Sequence, residues 1–76
     1  MEFLERRNGM TITLNGESRE VEGGACPVTE LLERLGLAGQ PVLVELNGQA
    51  LLRGEFASQE VTEGAEVEVI RMVAGG

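Results

Sequence analysis

Few side chains in this sequence are equipped for chemistry. Its ionisable residues are thirteen Glu, six Arg and one Cys, Cys26, with no His, Asp or Lys. Without imidazole there is no side-chain base with an ordinary pKa near neutrality. A lone thiol without His or Asp cannot complete a zinc site. The absence of lysine excludes a Schiff base, and none of the glycine-rich phosphate loops is present. The sequence therefore reads as a substrate or carrier rather than an enzyme, with no bound metal or cofactor. The remaining candidate is the chain end, Ala74-Gly75-Gly76. Two glycines there contribute no packing, so a stability argument does not explain them. They place the Gly76 carboxylate on a narrow stalk that fits a cleft in another protein.

Something must present that stalk, and the alternation of residues shows what. Met10, Ile12 and Leu14 alternate with Thr11 and Thr13 as a half-buried strand. Asn15-Gly16 is a hairpin turn signal, and Ser18 to Val21 form the returning strand. Glu22-Gly23-Gly24 breaks it. Pro27 suits the first position of a helix. Val28, Leu31, Leu32 and Leu35 then form one apolar stripe, and Gly36 supplies a left-handed stop, giving a helix over about residues 27–36. Glu30 and Arg34 form an i,i+4 pair on it. Val42, Val44 and Leu46 make a third strand, ended by Asn47-Gly48, and Ala50-Leu51-Leu52 a short further one. Residues Arg53 to Glu60 are irregular, with one helical turn that buries Phe56. Glu66 to Arg71 is the last strand and leads into the tail.

This order predicts an α+β domain, a four- to five-stranded mixed sheet packed on one main helix. Pairing the first and last strands in the middle of the sheet makes them parallel, which is the β-grasp arrangement. Residues 10–71 form the domain, residues 1–9 a mobile extension and residues 72–76 the exposed tail. On the last strand, Ile70 and Met72 share a face with Glu66 and Glu68, opposite Val67 and Val69. Either a bulge shifts the register near Ile70, or Ile70 and Met72, with Val73, are exposed contacts for a partner. Cys26 reads as a small packing residue, with a low-pKa sulfur acceptor as the alternative. Glu30, Glu33, Glu66 and Glu68 read as solvated surface, with an acidic docking surface as the alternative.

Several segments, in order, carry a family likeness. Met10-Thr11-Ile12-Thr13-Leu14-Asn15-Gly16-Glu17, the helix around Val28-Thr29-Glu30-Leu31-Leu32 and Leu35-Gly36-Leu37, Val44-Glu45-Leu46-Asn47-Gly48, Arg53-Gly54-Glu55-Phe56-Ala57 and the run from Glu63 to Gly76 resemble the thiamin-biosynthesis sulfur carrier family (ThiS). The resemblance spans residues 10–76. It departs at Cys26-Pro27, where the family usually has a small residue and Thr, and residues 1–9 have no counterpart.

The resemblance implies a ubiquitin-like β-grasp fold and a cycle of activation and transfer. An E1-like adenylyltransferase uses ATP to adenylate the Gly76 carboxylate. A cysteine-desulfurase-type sulfur donor converts it to a thiocarboxylate, and thiazole synthase accepts the sulfur. Gly75 and Ala74 form the tail that reaches those sites. The same fold and chemistry would suit a carrier for molybdopterin synthesis or tRNA thiolation. A ubiquitin-like protein modifier, or a non-covalent interaction module, is the reading from another class.

Composition narrows the setting. The formal net charge of -7 makes nucleic acid an unsuitable partner and a basic protein surface a suitable one. One cysteine cannot form an internal bridge, which favours a reducing cytoplasm. No apolar run approaches the ~20 residues of a membrane span.

Overall fold

The computed structural model describes residues 9–73 of the chain. The expectations for residues 1–8 and for Ala74, Gly75 and Gly76 lie outside the described residues, whereas Gly9, expected in the mobile extension, instead opens the first strand and pairs with Glu22.

Two hairpins built on the same turn supply four strands of the main sheet. Strand β1 (Gly9–Leu14) pairs with β2 (Glu17–Glu22) in register from Gly9–Glu22 to Leu14–Glu17. Strand β4 (Val42–Leu46) pairs with β5 (Gln49–Leu51). In both turns an asparagine at φ 51° precedes a glycine at φ 84°. That backbone twist matches the twist of the flanking strands, so a two-residue connection closes each hairpin.

Strand β7 (Glu66–Arg71) joins the hairpins. It lies between β1 and β4 in the order β2-β1-β7-β4-β5, parallel to β1 and antiparallel to β4. The expected mixed sheet is thus five-stranded, with the first and last long strands paired directly in parallel.

Helix α1 (Val28–Arg34) is shorter than the periodicity indicates. Pro27 is not its first helical residue. It occupies the N-cap with φ -65° and ψ 159° and ends a short strand, β3 (Cys26–Pro27). That strand pairs antiparallel with β6 (Glu60–Val61), a second small sheet that has no signature in the sequence. The helix start is fixed by distant residues. The Val28 N–H donates to the Gln59 carbonyl at 2.9 Å and the Thr29 N–H to the Phe56 carbonyl at 3.3 Å. At the other end, Gly36 at φ 78° provides the stop. Its N–H donates to Glu33 O and the Leu37 N–H to Leu32 O, satisfying two otherwise open carbonyls.

The helix covers one face of the sheet. Val28, Leu31 and Leu32 enter a core with Met10 and Ile12 of β1, Val42, Val44 and Leu46 of β4, and Val67 and Val69 of β7. Burying a leucine of this kind contributes about 1.5–3 kcal/mol. Phe56, after a 3-10 turn at Arg53–Glu55, closes the core at one side, as its aromatic character suggested. Every buried side chain among the described residues is apolar. Arg34 fastens the helix to the loop before it. Besides its 2.8 Å ion pair with Glu30, its guanidinium donates to the carbonyls of Glu22 at 2.7 Å and Gly24 at 2.8 Å.

Candidate functional site

The helix leaves the other face of the sheet uncovered, and β7 crosses the middle of it. Alternation along β7 holds from Glu66 to Ile70: Val67 and Val69 point into the core, and Glu66, Glu68 and Ile70 point away. The register with β4 runs without a bulge from Leu46–Val67 to Val42–Arg71. Ile70 and Met72 are therefore exposed, and the bulge alternative is excluded.

Their neighbours give that exposure its form. Ile70 pairs with Leu43 on β4, and continuing the β4–β5 register by one position sets Leu52 beside Leu43. Exposed fractions are 56% for Ile70, 54% for Leu43 and 73% for Leu52, with 46% for Met72 and 80% for Val73. An apolar row thus runs from Leu52, just past the end of β5, across β4 to β7, and Met72 and Val73 beyond it are exposed as well. The next row towards the start of β7 is acidic, with Glu45 opposite Glu68. Here Thr13, Glu45, Glu66 and Glu68 line a shallow depression of about 290 Å³.

The end of β7 is held from both sides. On the β4 edge the Met72 N–H donates to the Pro41 carbonyl at 2.9 Å. On the β1 edge, the Asn15 N–H donates to Val67 O at 2.8 Å. The Asn15 side chain then takes over, with Oδ1 accepting from the Val69 N–H at 2.8 Å and Nδ2 donating to Val69 O at 3.2 Å. Asn47, in the other turn, binds the start of the strand: its N–H donates to Glu66 O at 2.7 Å and its Oδ1 accepts from the Glu66 N–H at 2.9 Å. Sequence reasoning identified both asparagines as turn formers and missed these contacts. The available signal was an asparagine at the end of the one strand expected to run parallel to β7.

The remaining candidates separate. Cys26 is buried in β3, and desolvation pushes its thiol above the ordinary value of 9.0, outweighing the favourable Arg34 charge. It is a packing residue, and the low-pKa alternative does not hold. Glu30 and Glu33 ride on the helix, whereas Glu66 and Glu68 lie on the uncovered sheet face, so the four do not form one acidic surface. Glu30 is engaged by Arg34. No group of three potential metal ligands occurs among the described residues. No helix among them is long and apolar enough to cross a membrane.

The chain is similar to known proteins in sequence and fold. The family model described as ThiS matches residues 12–76. The chain belongs to the ThiS family. Sulfur carrier protein ThiS of Thermus thermophilus is 37% identical over 65 residues, covering 86% of the chain and 98% of that protein. A thiazole synthase of Magnetococcus marinus is 36% identical over 67 residues, 88% of the chain, and the chain spans only 20% of that protein's length. The crystal structure of a thiamine biosynthesis protein (ThiS) from Geobacter metallireducens superposes with a TM-score of 0.76 at 40% identity, covering 88% of the chain and all of that protein. The five-stranded sheet on one helix is therefore the β-grasp of this family. Membership makes the chain a sulfur carrier of thiamin biosynthesis, not a catalyst.

Proposed function

We propose that the chain carries sulfur as a thiocarboxylate on Gly76 and delivers it to a thiazole synthase. The observation that carries this reading is the alternation of β7 from Glu66 to Ile70, which sets Ile70 on the open face, with Met72 and Val73 also exposed just before Ala74-Gly75-Gly76 in the sequence. Together with Leu43 and Leu52 they form a docking surface on which a partner can hold the domain. The M. marinus thiazole synthase, which contains a segment similar to this chain, supports the choice of acceptor over a molybdopterin or tRNA pathway.

The division of labour follows from the residues. A carboxylate is a poor electrophile, and this chain has no Lys or His to assist its activation. An E1-like adenylyltransferase supplies that chemistry: a Gly76 carboxylate oxygen attacks the α-phosphorus of ATP and pyrophosphate leaves. The terminal sulfur of a desulfurase-type persulfide attacks the acyl carbon and AMP leaves. A thiol then cleaves the sulfur–sulfur bond, becoming part of a disulfide and leaving the thiocarboxylate. The domain contributes orientation, because docking through the open face converts the meeting of tail and nucleotide into an almost intramolecular event. Gly75 and Gly76 give the tail the slenderness to enter the cleft. The need for ATP and reduced thiols supports a cytoplasmic setting for the cycle.

The test is incubation with ATP, the E1-like enzyme and a sulfur source, followed by thiol-selective alkylation and mass analysis of the C-terminal peptide. Alkyl label on Gly76 is the expected result. Intact mass alone would confuse sulfur-for-oxygen exchange with oxidation of methionine. A plain Gly76 carboxylate after exposure to active enzyme overturns the proposal. A Gly76 isopeptide on a target lysine would assign the chain to the protein modifiers instead.

A further inference from the structure

The parallel ladder between β1 and β7 is short, with register pairs only at Thr13–Glu66 and Leu14–Val67. After Leu14 the chain turns back at Asn15-Gly16, and β7 runs on for four more residues. Val69 therefore directs its backbone N–H and C=O into a gap that β1 no longer fills. The Asn15 carboxamide fills it. Its acceptor and donor bind the Val69 N–H and C=O at 2.8 and 3.2 Å. A side-chain amide thus takes the place of the next peptide unit of β1.

We propose that Asn15 is a positioning residue for sulfur loading: its clasp on Val69 fixes the direction in which the chain leaves the sheet. The proposal rests on the carrier reading above. Val69 is the last point at which β7 is held from both edges by identified bonds. Beyond it, β7 is held on the β4 edge alone, through the Ile70–Leu43 and Arg71–Val42 pairs and the Met72–Pro41 bond. Without the clasp, the stretch of β7 held only along β4 lengthens back to Val69, and the segment that bears Ile70, Met72 and Val73 gains freedom to swing about β4. A partner gripping Leu43 and Leu52 would then receive the Gly76 carboxylate over a wider range of positions. Recognition would survive and productive alignment would suffer.

Asn47 provides a matched control. It has the same φ of 51°, precedes a glycine in the same way and also bonds β7, but at Glu66, the start of the strand. Replacing either asparagine with glycine keeps the positive φ accessible, so the turn itself survives. The experiment compares wild type, Asn15→Gly and Asn47→Gly in two measurements. One is amide exchange at Val69, and the other is steady-state adenylation by the E1-like enzyme with the carrier as the varied substrate.

Asn15→Gly is expected to speed Val69 exchange and lower kcat roughly 3- to 10-fold at unchanged KM, the range one or two hydrogen bonds support. Asn47→Gly is expected to leave Val69 exchange and kcat at wild-type values. Unchanged Val69 exchange in Asn15→Gly overturns the clasp. Faster exchange with unchanged kcat, or an equal loss of kcat in both variants, overturns the positioning role. A wild-type chain that is not adenylated overturns the carrier reading instead, and the delivery role with it. The exchange measurement then still reads the clasp on its own.

Discussion

The two faces of the central sheet are made by the same strands and obey opposite requirements. On the helix side, Ile12, Val44, Val67 and Leu31 are buried against one another, and no polar side chain intrudes. On the other side, Leu43, Leu52 and Ile70 stand exposed beside Glu45 and Glu68. The first face is complete within the chain, whereas the second leaves apolar area facing water. Folding explains the covered face. It explains little of the uncovered one, because an exposed cross-strand pair such as Leu43–Ile70 contributes at most about 1 kcal/mol.

Substitutions can set the two faces against each other. The largest expected effect is on the covered side: Val67→Asp places a carboxylate in an aliphatic core without a partner. It should cost more than about 4 kcal/mol, enough to abolish cooperative urea unfolding in a domain this small. On the open side, Leu43→Ser with Ile70→Ser should change stability by no more than about 1 kcal/mol, yet weaken binding to the E1-like enzyme at least ~10-fold. Calorimetric titration and a urea curve on the same sample would measure both. A core-like stability loss in that variant would erase the distinction between the faces.

Arg34 tests a smaller term that belongs to the covered side. Arg34→Met keeps much of the aliphatic stem but removes the bonds to the Glu22 and Gly24 carbonyls. A stability loss of about 1–2 kcal/mol is expected, read as a lower urea midpoint, most of it from those bonds, because the partly exposed Glu30 pair contributes little. The smallest effect concerns pH. The folded state raises the Cys26 pKa, so its stabilising share is complete below the ordinary value of 9.0 and declines as pH rises through the folded pKa. Cys26→Ala should lower stability at every pH through the cavity it leaves, while flattening the decline above pH 9.0, as seen by thermal melts from neutral to alkaline pH.

Much of this architecture was legible because it is written in local periodicity. Both hairpins follow from strand alternation interrupted by Asn-Gly, and the helix core follows from Val28, Leu31 and Leu32. Even the exposure of Ile70 was readable as a departure from a buried pattern, although only the register with Leu43 could exclude a bulge. What remained hidden depends on residues far apart in the chain. Nothing near Pro27 announces that Glu60 and Val61 will pair with it, or that Gln59 and Phe56 will accept from the first helical amides. Asn15 was visible as a turn former, but its grip on Val69 arises only when residues 54 positions apart come together. The assignment of Gly76 as the reactive end rests on residue type and family resemblance alone, because it lies outside the described residues.

The position of β7 has a consequence for synthesis on the ribosome. It is the last strand of the described chain and the central one in the sheet. Until residues 66–71 emerge, β2-β1 and β4-β5 are two separate hairpins, each with an unpaired inner edge, and an isolated hairpin is at best marginally stable in water. A nascent chain halted earlier therefore lacks the strand that would unite them and stays open to proteases. Completion of the fold therefore requires that translation has passed β7.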